Sequence, residues 1–110
     1  MSASNTDQRH TIVLLQYNSS PTSRTFLDYE TVSGAMDGVC GVYERELKAL
    51  NPGVANMTYD ISDLFTYLDQ LASVSLLVHQ EAIQGYLPRD KEWIKRQILT
   101  HLRKQSKEIS

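Results

Sequence analysis

The sequence predicts an α+β domain: a four-stranded antiparallel sheet with three helices on one face, in the order β-α-β-α-β-β-α, dimerising through the sheets. Short runs of apolar residues at every second position predict the strands, and longer runs at three- and four-residue steps predict the helices. The first strand is apolar on both sides, so both of its faces must be covered. Three helices cover only one face of a sheet, and a second copy of the chain is the economical cover for the other.

Length and composition favour one soluble domain inside the cell. The chain has 110 residues, of which 41% are hydrophobic and 22% charged. No apolar run approaches the roughly 20 residues of a membrane helix, and the polar N-terminus lacks the apolar segment of a secretion signal. A single cysteine, Cys40, suits a reducing compartment. We expect a flexible tail over residues 1–9, the domain over residues 10–104 and a short tail over residues 105–110.

The first predicted strand spans residues 10–17 and supplies the predicted dimer interface. Val13 and Leu15 continue into Tyr17 and suit the side that the helices cover. The opposite side has polar ends, so we expect it to pack face to face against the same strand of a second copy. The predicted interface residues are His10, Ile12, Leu14 and Gln16.

A long amphipathic helix is predicted from about Asp28 or Thr31 to Leu50, where Asn51-Pro52-Gly53 ends it. Its three interior glycines cost about 2–3 kcal/mol of helix propensity relative to alanine, so a compensating contact is expected. They lie within about 60° of one another, away from the apolar stripe. Either this face lets the backbone of a partner approach closely, or packing within the domain tolerates the glycines. These candidate docking residues are Gly34, Gly38 and Gly41.

The middle of the chain is predicted to change from strand to helix within two residues. Met57, Tyr59 and Ile61 alternate with polar residues, as in a half-buried strand. The apolar residues that follow take the helical period, with Ser62 as the N-cap and Asp63 near the positive end of the helix dipole.

The last part of the chain is predicted to form two strands and a helix. Residues 74–79 alternate as a third strand, and residues 85–87 form a short fourth strand. Pro88 ends that strand, which suits an edge position. Asp90 is placed to cap the final helix.

Charge is distributed unevenly along the chain. Residues 89–108 contain seven basic and three acidic residues, a charge of +4, which leaves −6 for the rest. Such a segment either forms a solvated helix face or binds an acidic partner or nucleic acid. An RNA-binding module using this basic C-terminal helix is therefore the alternative function.

The sequence contains no pattern typical of a catalytic, cofactor or metal site. Its glycines do not form a phosphate-binding loop, and its three histidines are far apart. Helix starts explain Asp60 and Asp63, and Cys40 lies on an apolar stripe, as a core residue does. One modification is suggested: Thr25 precedes Asp28 by three residues, the spacing that acidophilic kinases use, although helix capping is the commoner explanation of such a motif.

Several motifs, in order, resemble the enhancer of rudimentary family. The resemblance covers about residues 10–104. The longer N-terminal tail and the glycines at 34 and 41 depart from the family pattern. The motifs are Arg24-Thr25, Asp28-Tyr29-Glu30, Tyr59-Asp60-Ile61-Ser62 and Trp93-Ile94-Lys95.

The resemblance implies a small nuclear protein without enzymatic activity or cofactor, which forms a homodimer through its sheets and binds short segments of other nuclear proteins. It further implies roles in the cell cycle, pyrimidine metabolism and RNA processing, and phosphorylation at Thr25. Together with the residue patterns, it predicts a homodimeric adaptor that has no chemistry of its own.

Overall fold

The computed structural model describes residues 8–54 and 58–109, with side chains as far as residue 103. Residues 1–7 and 110, which fall in the two predicted tails, and residues 55–57 lie outside this description. The last helix continues to residue 109, past the predicted domain end at 104. The elements are β1 (Thr11–Gln16), β2 (Arg24–Tyr29), α1 (Val32–Leu50), α2 (Ile61–Gln70), β3 (Ser73–Gln80), β4 (Gly85–Arg89) and α3 (Lys91–Ile109).

The predicted α+β fold with a four-stranded antiparallel sheet and three helices is confirmed. The strand order is β2-β1-β3-β4, and every neighbouring pair is antiparallel. Val13 of β1 lies opposite Leu27 of β2 and Leu76 of β3, so the first strand is central in the sheet. The order of elements is β-β-α-α-β-β-α, however, because one strand lies elsewhere in the sequence than predicted.

The predicted strand at residues 57–61 is wrong. Met57 lies outside the described residues, and Ile61 is the first residue of α2. Asp60, not Ser62, is the N-cap residue, and its backbone N–H donates to the Asp63 carboxylate at 3.1 Å. Tyr59 packs edge-on against a helix residue, Tyr43, with 5.0 Å between ring centroids. Its burial therefore comes from a helix and requires no strand pairing.

The sequence pattern did not predict β2, whose last residues overlap the earlier of the two predicted starts of the first helix. Leu27 and Tyr29 point toward the helices, but Phe26 on the other side is apolar and 67% exposed. Because Phe26 is apolar, the strand lacks the regular alternation of polar and apolar residues that predicts a half-buried strand. Of the two predicted starts of α1, Thr31 is correct, because its hydroxyl accepts a hydrogen bond from the Gly34 backbone N–H at 2.9 Å.

The predicted elements of the last part are confirmed. β3 and β4 form a hairpin whose turn contains Gln84 in the left-handed region, at φ 49°. The prediction that Pro88 ends the fourth strand is wrong, because β4 continues to Arg89. β4 is an edge strand, as predicted, and a missing backbone donor is tolerated there. Asp90 directly precedes α3 and caps it, because its carboxylate accepts a hydrogen bond from the Trp93 backbone N–H at 2.9 Å.

The core lies between the sheet and the helices, and α2 contributes Leu64 and Leu68 to it. Leu76, Ile94 and Ile98 are fully buried, so β3 and α3 are joined to the same core. Its other members are Val13, Leu15, Val32, Ala35, Met36, Val39, Cys40, Val42, Leu71, Val74 and Val78.

Candidate interaction surface

The predicted interface residues of β1 lie on the face of the sheet that is turned away from the helices, here called the open face. Because side chains alternate along a strand, Val13 and Leu15 enter the core and Ile12, Leu14 and Gln16 point the opposite way. Leu14 is 37% exposed. The open face is therefore an apolar surface at the centre of the sheet.

Strand register extends this surface beyond the residues that the sequence identified. Leu14 lies opposite Phe26, Ile12 lies opposite Leu77, and Leu77 lies opposite Pro88. These five residues form the apolar patch of the open face. The sequence pattern of each strand gives its alternation, but only pairing shows which side chains are neighbours across strands.

Polar side chains border the apolar patch at both ends of the sheet. At one end His10 bridges two strands, with Nδ1 2.8 Å from the Tyr86 hydroxyl and Nε2 2.5 Å from Asp28 Oδ1. At the other end, Arg24 Nε donates to Gln16 Oε1 at 3.2 Å. An apolar centre with a hydrogen-bonded polar rim is the arrangement found in protein interfaces.

A groove that we call the basic groove adjoins the open face where β4 meets α3. It encloses about 490 Å³ and is lined by Ser75, Pro88, Arg89, Asp90, Trp93 and Arg96. The Arg89 guanidinium lies 5.2 Å from the centroid of the Trp93 ring, a cation–π contact. Its Nε atom is buried and has no hydrogen-bond partner within the described part of the chain. The groove thus combines positive charge with an aromatic wall.

The three glycines of α1, predicted as a docking face, have different surroundings. A Cβ atom at Gly38 would lie within 2.1 Å of the Tyr29 hydroxyl oxygen, and one at Gly34 would be 3.7 Å from the Tyr29 Cβ. Tyr29 of β2 therefore fills this side of the helix from within the chain. At Gly41 a Cβ atom would meet only Arg45, at 3.6 Å. The structure thus gives Gly38 a packing role. The expected compensating contact comes from Tyr29 in β2 of the same chain.

Thr25, the predicted phosphorylation site, was expected at an exposed entry to the first helix but lies in β2. It is exposed, and its backbone lies opposite Leu15 of β1. Asp28 is three residues along the same strand, where it contacts His10. A phosphate on Thr25 would not meet the dipole of α1, which begins at Val32.

Among the side chains that the structure describes, no recognisable catalytic group is brought together. In the described residues, no three His, Cys, Asp or Glu side chains are close enough to hold a metal ion. Burial, followed by the charges of Glu44 and Asp37, raises the pKa of the Cys40 thiol to about 11, which keeps it protonated and unreactive. No helix in the described ranges is long and apolar enough to cross a membrane.

These observations define a class: a small α+β domain whose most distinctive surface is an open apolar sheet face beside a basic groove. Comparison with known proteins gives the family. The sequence profile of the family described as Enhancer of rudimentary matches residues 7–108. This chain belongs to the enhancer of rudimentary family.

Relatives from distant organisms support this assignment over nearly their whole length. An enhancer of rudimentary homolog of Arabidopsis thaliana is 48% identical over 102 residues, covering 93% of this chain and 94% of the relative. The Dictyostelium discoideum homolog is 52% identical, covering 86% and 95% respectively. Protein enhancer of rudimentary of Drosophila virilis is 47% identical, covering 86% and 90%. The predicted family is confirmed.

Proposed function

We propose that this protein is a non-enzymatic homodimeric adaptor that binds short segments of nuclear proteins and acts in RNA processing, gene expression and cell-cycle control. Family membership supports a role in protein interaction, and the names of the relatives describe no enzyme. The proposal places the protein in the nucleus, with a cytoplasmic fraction, and includes the link to pyrimidine metabolism that the family resemblance implies. The observation that carries it is the apolar patch on the open face.

The dimer is proposed to form by face-to-face packing of two open faces about a twofold axis. Phe26, Leu14 and Ile12 are neighbours on this face. Exposing so continuous an apolar patch to water is unfavourable. A stable interface buries about 800 Å² on each partner, so such a dimer would involve the polar rim of the open face as well as its apolar patch. The hydrogen-bonded side chains of His10 and Gln16 would lie at the rim.

Partner segments are proposed to bind in the basic groove. Pro88 belongs both to the apolar patch and to this groove, so a dimer seam on the open face would run beside it. A symmetric dimer then presents two equivalent grooves on one rigid body. When both engage a dimeric or tandem partner, affinity rises by about a hundredfold or more over one groove.

The test is the solution mass of the wild type and of the double variant Ile12→Arg, Leu14→Arg, measured by light scattering at micromolar concentration. We expect two chains for the wild type and one for the variant, because two arginines in each open face repel their counterparts. Circular dichroism of the variant shows whether it remains folded. A wild type that is a stable monomer contradicts the proposal.

A direct RNA-binding role remains the second candidate, and the basic groove is the observation that favours it. Arg89 and Arg96 flank Trp93, on which a base can stack. Two further lysines of α3 are less available, because Lys91 and Lys95 lie 3.3 Å and 2.9 Å from Asp69 of α2. Binding of a labelled single-stranded RNA that weakens steeply with added salt would support this role. Peptide binding that weakens much less with added salt than RNA binding does supports the adaptor.

Phosphorylation of Thr25 by an acidophilic kinase is part of the proposal. The exposed side chain and the acidic residue at Asp28 support it. Kinases act on extended segments, and β2 is an edge strand whose outer side pairs with no other strand among the described residues. Mass spectrometry after incubation with such a kinase, using Thr25→Ala as control, tests the site.

A further inference from the structure

A second groove lies between α1 and α2, away from the open face. It encloses about 330 Å³. The core-facing stripe of α1 continues past the end of the core here, so Leu47 is half-buried and Leu50 is 68% exposed. Tyr43 and Tyr67 form its aromatic part, with ring centroids 5.0 Å apart. The groove therefore has the apolar and aromatic lining that side chains of a partner prefer.

The charge that lines this groove is entirely negative. Glu46 lies within the apolar stripe of α1, one turn after Tyr43, and Asp63 faces it from the first turn of α2. In the described part of the chain Glu46 makes no hydrogen bond or ion pair, and Asp63 accepts only the Asp60 backbone N–H. Neither a lysine nor an arginine among the described residues lines the groove. We call it the acidic groove.

Electrostatic effects on the two tyrosines agree with this geometry. Burial and then the charge of Asp63 raise the pKa of Tyr43. Burial, followed by contributions from Tyr17 and Glu46, raises the pKa of Tyr67, although Arg45 acts in the opposite direction. Arg45 is not among the residues that line the groove.

We propose that the acidic groove binds an arginine-bearing apolar segment of a partner protein. A guanidinium group stacks on tyrosine rings and pairs with carboxylates at the same time, which a lysine ammonium does less well. Leucine-like side chains of the segment cover Leu47 and Leu50. The proposal goes beyond the adaptor function described above, because one chain builds the whole groove without a second copy.

The experiment is a fluorescence anisotropy titration with a labelled synthetic peptide in which arginine and leucine alternate. In the control peptide every arginine is replaced by citrulline, which keeps the shape and removes the charge. We expect the arginine peptide to bind and the citrulline peptide to bind at least roughly threefold more weakly, the size of effect expected for one exposed ion pair. Equal binding of the two peptides, or no binding of either, overturns the proposal.

Matched variants locate the binding site. Glu46→Gln and Leu50→Ser are each expected to weaken binding of the arginine peptide roughly threefold, because one removes a charge and the other an apolar contact. The controls are Glu81→Gln and Ile83→Ser, which alter exposed residues of the β3–β4 turn and should leave affinity unchanged. Unchanged affinity in the groove variants places the peptide elsewhere and overturns the proposal. The solution mass of the wild type decides the dimer separately.

Discussion

Tyr29 explains why a glycine occupies position 38 in the middle of a long helix. The ring crosses α1 so closely that a Cβ atom at residue 38 would also lie 2.3 Å from the ring carbon Cζ. Real Cβ contacts are never so short, so any side chain there displaces the tyrosine. The helix propensity lost at Gly38 is thus offset by the packing of a strand residue against the bare backbone.

The first prediction is that Gly38→Ala destabilises the fold, by up to about 2 kcal/mol, although alanine is the better helix former. Overpacking costs about 1–3 kcal/mol and exceeds a propensity gain of about 1 kcal/mol. Gly41→Ala, which meets only Arg45, should stabilise by about 0.5–1 kcal/mol. Urea unfolding measures both. In a Tyr29→Ala background the sign at Gly38 should reverse, and a destabilisation that persists there would show that the tyrosine is not the cause.

The second prediction concerns Cys40, a residue of α1 whose side chain is buried in the core. Its pKa in the folded protein, about 11, lies above its ordinary value, so folding favours the protonated thiol. This stability is fully present below the ordinary pKa and is lost as the pH rises toward 11. The free energy of unfolding should therefore fall with pH in that window, and less steeply in Cys40→Ala. Identical slopes in the two proteins would contradict the raised pKa.

At the scale of elements, the start of α2 depends on a carboxylate in its first turn. The Asp63 carboxylate accepts the backbone N–H of Asp60, which would otherwise lack an intrahelical partner. This hydrogen bond stabilises the first turn of α2, which begins at Ile61 directly after the extended N-cap residue Asp60.

The third prediction is that Asp63→Ala lowers the free energy of unfolding by about 1 kcal/mol, through loss of this hydrogen bond and of the favourable interaction with the helix dipole. Ser62→Ala, which changes an exposed neighbour, should alter stability by less than about 0.5 kcal/mol. Denaturant titrations of the two variants measure the difference. If Ser62→Ala were the more harmful change, Ser62 would be the cap that the sequence first suggested.

Most elements could be predicted from the sequence because their periodicity is local. The core stripe of α1, the alternation of β3 and the Asp90 cap of α3 need no information from distant residues. β2 could not be predicted so directly, because Phe26 takes its place on the open face only through pairing with Leu14. The same limit applies to the open face. The sequence predicts which residues of β1 lie on each face, but which residues of other strands lie beside them depends on strand register.

At the scale of the whole molecule, the open face leads to a prediction about Phe26. This side chain is 67% exposed in the single chain, so Phe26→Ser should change the stability of the isolated domain little. If two open faces pack together, the same substitution should weaken the dimer at least roughly tenfold, by loss of one buried aromatic side chain per partner. Sedimentation velocity over a concentration series measures this dissociation.

The control for that experiment is Leu50→Ser. Leu50 is 68% exposed, almost the same fraction as Phe26, but it lies on α1 in the acidic groove. Its substitution should leave the dimer intact. Equal weakening by both variants would indicate a loss of general surface hydrophobicity and would count against packing through the sheet.

The central position of β1 also affects how the chain folds during synthesis. β1 is made before the other three strands of the sheet. It pairs with β2 on one side, but its other partner is β3, where Thr11 lies opposite Val78. The sheet cannot close until both intervening helices have been made, and closing so long a loop is slow. Until then the nascent chain exposes an apolar strand edge, of the kind that chaperones protect. β1, the strand proposed to lie at the dimer interface, is thus also a strand whose pairing within its own chain is completed late in synthesis.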